Sequence, residues 1–257
     1  MPTTAVTICE SPNDLALRTA DTIVDAAAAA IRERGRFLFV LSGGRTPEKA
    51  YSLLSQANRA IAIDWSKVFV FLGDERMVPA VDPRNNFAMA RRTLLDRVPI
   101  PATQVFAVRT DGRSAAAAAA EYNAELTRFF AADPHNASDR FDLVLLGMGE
   151  DGHTASLFPN ARALDVKETW ATWSPPGLLP PSVDRVTLTY PAINSARQVL
   201  FVVAGEEKAT ALYEVLEGNA SPTVRPAAGV HPSGGTLTWI TDRNAGQLLK
   251  VTGNHQS

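Results

Sequence analysis

Short runs of consecutive apolar residues alternate along the chain with longer segments in which apolar residues recur at helical spacing. The runs that predict β-strands cover residues 5–9, 37–41, 68–72, 141–146, 186–190, 199–203 and 237–241. Several of them are apolar at successive positions, as in parallel strands whose two faces are both covered. The pattern predicts an α/β fold of the Rossmann-like, doubly wound type, with a mostly parallel central sheet and helices on both faces.

Capping and turn residues divide the chain between these runs. The predicted helices begin near Ser11, Pro47, Ser114 and Gly205, and the first of them ends at Gly35. Segments 170–182 and 218–235 are rich in proline, glycine and small polar residues, so we expect surface loops there that line or cover a cleft. Because no linker-like segment interrupts the pattern, we expect a single domain over residues 1–257.

Charge and cysteine content narrow the possible function classes. The 257 residues carry a formal net charge of -2 with no long basic or acidic block, which argues against a nucleic-acid partner. No apolar run is long enough to cross a membrane, and residues 1–10 lack the pattern of a targeting segment. The single cysteine, Cys9, excludes a disulfide within the chain and a zinc site of paired cysteines. We expect a cytoplasmic monomer or weak homo-oligomer whose partner is a small molecule.

The loop after the predicted strand 37–41 has the sequence Ser-Gly-Gly-Arg-Thr-Pro over residues 42–47. The two glycines allow a tight turn with exposed backbone N–H groups, and Thr46 and Pro47 are suited to the start of a helix. A helix N-terminus of this kind favours an anion, so the loop predicts a phosphate cradle. The alternative is a plain glycine turn between a strand and a helix.

The loop after strand 68–72 carries three charges in the sequence Gly-Asp-Glu-Arg, residues 73–76. Charges at the end of a buried strand are costly unless they face a polar cleft or one another. The guanidinium of Arg76 has the geometry for a phosphate, while the alternative is an ion pair that only steadies the loop. A metal role for Asp74 or Glu75 is not expected, since no histidine or further acid follows at ligand spacing.

The loop after strand 141–146 reads Gly-Met-Gly-Glu-Asp-Gly-His over residues 147–153. It contains the dinucleotide-binding pattern Gly-x-Gly-x-x-Gly, but Pro159 interrupts the helix that this motif requires. The glycines instead bring His153 close to a ligand, and imidazole is the usual base at neutral pH. Asp151 or Glu150 is placed to fix its tautomer; the alternative is a histidine with a structural role only.

A fourth loop places Lys208 in the first turn of the helix that follows strand 199–203. A lysine there opposes the helix dipole, so an anion beside it is favoured; the alternative is an exposed lysine paired with a glutamate. A covalent mechanism is disfavoured, because the chain has no Gly-x-Ser-x-Gly segment and Cys9 lies in the first strand. The zinc motif His-Glu-x-x-His is also missing from the sequence.

Together with Asn86, residues 155–159 and residues 185–189, these loops resemble in order the motifs of the 6-phosphogluconolactonase family, from about residue 35 to residue 245. The resemblance implies hydrolysis of 6-phospho-D-glucono-1,5-lactone to 6-phosphogluconate in the oxidative pentose phosphate pathway, with no metal and no cofactor. His153 would be the base that activates water, and Asp151 would orient it. The implied substrate- and phosphate-binding residues are Ser42, Gly43, Gly44, Arg45, Thr46, Asp74, Arg76, Asn86, Gly149, Arg185 and Lys208.

The sequence departs from the family pattern at two positions, and two other functions are alternatives to the lactonase. Asn85 stands where family members often have serine, and Arg45 is bulky for its position in the glycine-rich loop. The loop is shared with glucosamine-6-phosphate deaminases and related isomerases, but these usually carry tyrosine where this chain has Arg76. The second alternative is a sugar-phosphate-sensing module without catalysis; such modules usually accompany a DNA-binding segment, and none is evident here.

Overall fold

The centre of the protein is a seven-stranded sheet in which every strand pairing is parallel. The computed structural model describes residues 4–132 and 140–250; the rest of the predicted domain, residues 1–3, 133–139 and 251–257, lies outside the described part. Its strands are β1 (Thr4–Cys9), β2 (Phe37–Leu41), β3 (Val68–Leu72), β5 (Val105–Phe106), β6 (Leu143–Leu146), β9 (Gln198–Val203) and β10 (Thr236–Asp242). Their order in the sheet is β1-β10-β9-β6-β2-β3-β5.

Helices cover both faces of this sheet, as the sequence pattern predicts. They are α1 (Pro12–Arg34), α2 (Arg45–Leu54), α3 (Ala57–Ala60), α4 (Asn86–Thr93), α5 (Ala115–Ala131), α6 (Tyr190–Asn194) and α7 (Ala209–Leu216). Successive residues of β2 point to opposite faces: Phe39 belongs to a hydrophobic cluster with residues of α1, α2 and α4, and Val40 to one with residues of α5, α6 and α7. None of the described helices is long and apolar enough to span a bilayer.

Local capping explains where the long helices begin and end. Ser11 accepts a hydrogen bond from the Asp14 amide at 3.1 Å, and Gly35 ends α1 with a φ of 74° that favours glycine. The predicted cap at Thr46 is wrong. Gly44, with φ 104°, turns the chain earlier, so α2 begins at Arg45 with no side-chain cap and Thr46 lies within its first turn.

A second, three-stranded antiparallel sheet corrects three predictions. It consists of β4 (Asp74–Arg76), β8 (Arg185–Leu188) and β7 (Ala171–Ser174), in the order β4-β8-β7. The strand predicted at 186–190 therefore does not belong to the central sheet, segment 170–182 is not entirely loop, and the charged residues after β3 form a strand. Every residue of β8 is buried, so its apolar pattern is the same as that of a central strand.

The chain changes direction across the central sheet between β2 and β6. From β2 it continues outward to β3 and β5, while β6 lies on the other side of β2 and leads to β9. The loops that leave β2 and β6 therefore diverge and open a crevice at the carboxyl ends of the strands. In open α/β sheets this switch point is where ligands bind.

Candidate active site

A cleft of about 540 Å³ lies at this switch point. It is bordered by the glycine loop (residues 42–44), by the histidine loop (residues 147–153), and by residues from β4, α4 and β8. The predicted site residues that line it are Ser42, Gly43, Gly44, Arg45, Asp74, Arg76, Asn86, Gly149, His153, Arg185 and Lys208. Thr46 does not line the cleft, and Asp151 lies behind His153. Four loops that are distant in sequence thus meet at one place.

His153 is held by Asp151 within the histidine loop. Its Nδ1 atom lies 2.6 Å from Asp151 Oδ1, and the same oxygen accepts the His153 amide at 3.1 Å. The loop is closed by a bond from the Gly149 amide to the His153 carbonyl at 2.9 Å. The His153 side chain is 22% exposed, so the imidazole is accessible from the cleft while its Nδ1 edge is occupied. This arrangement leaves Nε2 as the nitrogen available to a ligand.

The charge on Asp151 is stabilised by this pairing. Burial by itself would raise the pKa of Asp151, but the hydrogen bonds and the charge of His153 outweigh it and hold the pKa below its usual value. Gly149 leaves room for the pair: a Cβ atom there would lie 2.1 Å from His153 Nδ1 and 2.6 Å from Asp151 Oδ1. The sequence Gly-x-Asp-x-His therefore packs the imidazole and carboxylate directly against the backbone.

The glycine loop is fixed on both sides. The buried Tyr51 hydroxyl accepts the Ser42 amide and donates to the Ser42 carbonyl, both at 2.9 Å. A Cβ atom on Gly43 would lie 2.0 Å from Asn86 Oδ1, so only glycine allows Asn86 this close approach. The Asn86 Nδ2 atom donates to the Asp74 carbonyl at 2.9 Å. Asn86 thereby joins the glycine loop to β4.

The two acids of β4 have separate partners. Asp74 accepts the Ser156 hydroxyl at 2.6 Å and lies 4.0 Å from the buried Arg185 guanidinium. Glu75 points away from the cleft and accepts the backbone amides of Arg76, Asn86 and Phe87 at 2.7–2.8 Å. It anchors the start of α4 to β4. Because the side chain is fully buried, its pKa is raised to about 7, even though these amide bonds oppose the shift.

Arg76 is not held in an ion pair with these acids. Its Nη1 atom donates to the Arg84 carbonyl at 2.7 Å, and its buried Nε atom has no hydrogen-bond partner among the described residues. The register of the small sheet sets Arg76 directly opposite Arg185, so two guanidinium groups lie next to each other at the cleft. Arg76 therefore does not form the internal ion pair that would only steady the loop. An anion in the cleft would accept hydrogen bonds from its guanidinium group.

The cleft carries an excess of positive charge. Its described lining includes six cationic side chains, Arg45, Arg76, Arg84, Arg92, Arg185 and Lys208, and two acidic ones, Glu48 and Asp74. Arg92 pairs with Glu48 at 2.7 Å, and Arg84 pairs with Asp82 at 2.7 Å. Arg45 and Lys208 have no acidic partner in residues 4–132 and 140–250. A small anion is therefore the ligand that this surface favours.

An aromatic ring connects the base to this basic surface. The ring of Phe158 lies 4.9 Å from that of His153 and 5.8 Å from the Arg185 guanidinium carbon. A Cβ atom on Gly177 would lie 2.5 Å from Phe158, which shows that the proline-rich segment packs against the ring. His153 and Arg185 thus face the same cleft with one hydrophobic contact between them.

Arg84 and Arg92 line the cleft but lie outside the motifs that the sequence singles out. Met148 and Ala155 come from those motifs, and Ala155 has a φ of 47°, unusual for a residue other than glycine. Leu179 and Pro180 come from segment 170–182 and confirm that it lines the cleft. Segment 218–235 does not; instead the Ala227 amide donates to the Gly152 carbonyl at 2.9 Å and supports the histidine loop from behind.

Within residues 4–132 and 140–250, no group of three or more His, Cys, Asp or Glu side chains is arranged to hold a metal ion.

The chain is similar in sequence and in fold to known proteins. Residues 10–239 match the family model described as glucosamine-6-phosphate isomerases/6-phosphogluconolactonase. The chain is 41% identical to 6-phosphogluconolactonase of Nostoc sp. over 93% of this chain and 97% of the relative, and 38% identical to probable 6-phosphogluconolactonase 1 of Arabidopsis thaliana over 95% and 93%. The structure of 6-phosphogluconolactonase from Trypanosoma cruzi superposes with a TM-score of 0.85 at 29% identity, covering 97% of this chain and 98% of that one. The chain therefore belongs to the family of glucosamine-6-phosphate isomerases and 6-phosphogluconolactonases.

Proposed function

We propose that this protein is a 6-phosphogluconolactonase, which hydrolyses 6-phospho-D-glucono-1,5-lactone to 6-phosphogluconate in the oxidative pentose phosphate pathway. One observation carries the proposal: the accessible imidazole of His153, backed by Asp151, shares a cleft with Arg45, Arg76 and Lys208. A lactone carbonyl is already electrophilic, so the reaction needs a positioned base and a remote group that fixes the ring. The names of the related enzymes in Nostoc sp. and Arabidopsis thaliana support the same substrate.

The proposed reaction begins with His153 as general base. Nδ1 keeps its proton in the hydrogen bond to Asp151, so Nε2 has the free lone pair. Nε2 takes a proton from water as the water oxygen attacks C1 of the lactone, and a tetrahedral oxyanion forms. When the oxyanion collapses, the bond between C1 and the ring oxygen breaks. The imidazolium then returns the proton to the departing ring oxygen, and Asp151 stabilises the positive charge while it exists.

The phosphate is the group that orients the substrate in this proposal. Its negative charge lies among Arg45, Arg76, Arg185 and Lys208, with the amides at the start of α2 as additional donors. Backbone N–H groups of the histidine loop stabilise the oxyanion. Because the charged groups contact the phosphate in both ground and transition states, they contribute mainly to binding, whereas His153 contributes mainly to the rate.

The proposal is tested by following acid release in a pH-stat with freshly prepared 6-phospho-D-glucono-1,5-lactone, EDTA present, and the spontaneous rate subtracted. We expect enzyme-dependent hydrolysis that EDTA does not abolish. The same preparation is incubated with glucosamine 6-phosphate, which a deaminase would convert with release of ammonia. Ammonia release without lactone hydrolysis would overturn the proposal in favour of a deaminase, and binding of 6-phosphogluconate without turnover would indicate a sensing module.

We also propose that the enzyme acts in the cytoplasm as a monomer or weak homo-oligomer.

A further inference from the structure

Few contacts from outside hold the histidine loop in place. The Asp151 side chain is hydrogen-bonded to the amide and the ring of His153, and its second oxygen, Oδ2, is buried without a partner among the described residues. The position of the pair therefore depends on the backbone of the loop. In the described part of the chain, two hydrogen bonds reach the carbonyls of Asp151 and Gly152 from elsewhere, one from Ala227 and one from Arg225.

Arg225 lies directly on the loop. Its Nη1 atom donates to the Asp151 carbonyl at 3.0 Å, and its Nε atom donates to Glu214 Oε2 at 2.5 Å. Gly152 has a φ of 77°, and a Cβ atom there would lie 2.5 Å from Arg225 Cδ and 3.2 Å from Arg225 Cα. The Arg225 side chain is 22% exposed, so its charge is partly shielded from water. The guanidinium thus joins the base of the loop to Glu214.

Glu214 connects this contact to the other end of the cleft. It lies on α7, the helix that starts immediately after the cleft residue Lys208. The helix therefore presents a cation to the cleft at its beginning and anchors Arg225 near its end. We propose that Arg225, held by Glu214, is a positioning residue that fixes the Asp151 backbone and thereby the orientation of the His153 imidazole; its effect on turnover rests on the proposed lactonase function.

The test uses Arg225→Met in the full chain, which keeps much of the apolar packing on Gly152 and removes both hydrogen bonds. A small displacement of a catalytic group has a large effect on rate, so we expect kcat to fall about tenfold while KM stays within about twofold. Arg59→Met is the matched control, because Arg59 pairs with Asp21 at 2.9 Å, has an 18% exposed side chain and lies outside the cleft. The control should leave kcat unchanged even if both variants lose similar stability.

A second readout does not depend on turnover. The ¹⁵N chemical shifts of the His153 ring report its tautomer, and the signals are assigned by their loss in His153→Gln. We expect the Nδ1-protonated form in the wild type and a mixture of tautomers in Arg225→Met. A kcat within twofold of wild type together with an unchanged ring spectrum would overturn the proposal. If the wild type lacks lactonase activity, the proposed function fails, and the ring spectrum still decides whether Arg225 positions His153.

Two further variants separate positioning from stability. In the Asp151→Asn background, Arg225→Met should reduce kcat by much less than it does in the wild type, because residues that act as a unit are not additive. If the double variant loses kcat by the product of the two single-variant factors, Arg225 does not act through Asp151. If Arg225→Met does not fold, Glu214→Gln weakens the anchor with little change of shape. It should lower kcat about threefold with KM unchanged, and an unaltered kcat would contradict the proposal.

Discussion

Nδ1 of His153 lies 2.6 Å from Oδ1 of Asp151, and the same oxygen accepts the amide of His153 at 3.1 Å. One carboxylate oxygen therefore fixes both the backbone and the ring of the residue two positions later. This local arrangement orients the imidazole, and Arg225 contacts its backbone at the Asp151 carbonyl. In the proposed mechanism, it determines which nitrogen accepts the proton from water and supplies the negative charge that balances the imidazolium.

Asp151→Asn removes this negative charge while keeping the shape of the side chain. We predict that kcat falls about 100-fold, because the imidazolium formed during proton transfer loses its counter-charge, while KM changes little. Initial rates of lactone hydrolysis over a range of substrate concentrations give both constants. Asp165→Asn, at an exposed position, is the control and should match the wild type. Equal kcat in Asp151→Asn and wild type would show that the carboxylate charge is dispensable.

Gly149→Ala tests the close packing of the pair against the backbone. The new methyl group would lie 2.1 Å from His153 Nδ1, so the imidazole or the loop must move. We predict a fall in kcat of about 100-fold with a folded protein and little change in KM. Gly112→Ala is the control: unlike Gly149, Gly112 has a positive φ, 65°, but a methyl group there meets no atom within 4 Å. That variant should lose some stability and keep its kcat, and a full kcat in Gly149→Ala would contradict the geometry.

Lys208→Met tests the basic side of the cleft. A hydrogen bond between charged groups contributes roughly 1.5 to 3 kcal/mol, so we predict that KM rises about 10- to 100-fold while kcat stays within about threefold. Calorimetric titration with 6-phosphogluconate should show the same loss of affinity. Lys67→Met, at an exposed lysine that lies 3.4 Å from Asp64, is the matched control. If Lys208→Met binds the product as tightly as Lys67→Met does, the phosphate lies elsewhere.

The raised pKa of Glu75 predicts that the stability of the protein depends on pH. Its pKa is raised by burial from 4.5 to about 7 in the folded protein, so its stabilising contribution is complete below pH 4.5 and is lost as the pH rises through about 7. The free energy of unfolding should therefore decrease by roughly 3 kcal/mol between pH 5 and 8 from this group.

Urea unfolding at several pH values checks this dependence. Glu75→Gln should flatten the decrease, since the neutral amide does not titrate, although the variant loses amide hydrogen bonds and is less stable at acid pH. Glu168→Gln, at an exposed carboxylate, should keep the slope of the wild type. Identical slopes in Glu75→Gln and wild type would show that Glu75 does not titrate in this range.

The parts of the structure that follow from local sequence were predictable. The consecutive apolar residues of β2 and β3 indicate buried parallel strands, and Ser11 and Gly35 mark the ends of α1. The strands of the small sheet could not be assigned correctly. Every residue of β8 is buried, so its pattern equals that of a central strand, and the three charged residues of β4 have no strand pattern until they pair with β8.

The candidate site was predictable where one loop contains several of its residues. The glycine loop and the histidine loop each combine glycines with polar or charged side chains within a few positions. Arg92 lines the cleft from α4, whose start is anchored by Glu75, and Arg84 lines it from just before that helix. Arg225 reaches Asp151 from a position 74 residues later. Such contacts arise from tertiary packing, which no local pattern specifies.

His153→Gln tests whether His153 is the general base of the reaction. Loss of a general base costs about 10² to 10⁴ in rate. Lactone hydrolysis at saturating substrate is measured for His153→Gln and for His231→Gln, which replaces an exposed histidine outside the cleft. We predict that kcat falls by at least 100-fold in the first variant, with 6-phosphogluconate still bound, and is unchanged in the second. A kcat for His153→Gln within threefold of the wild type would show that His153 is not the general base.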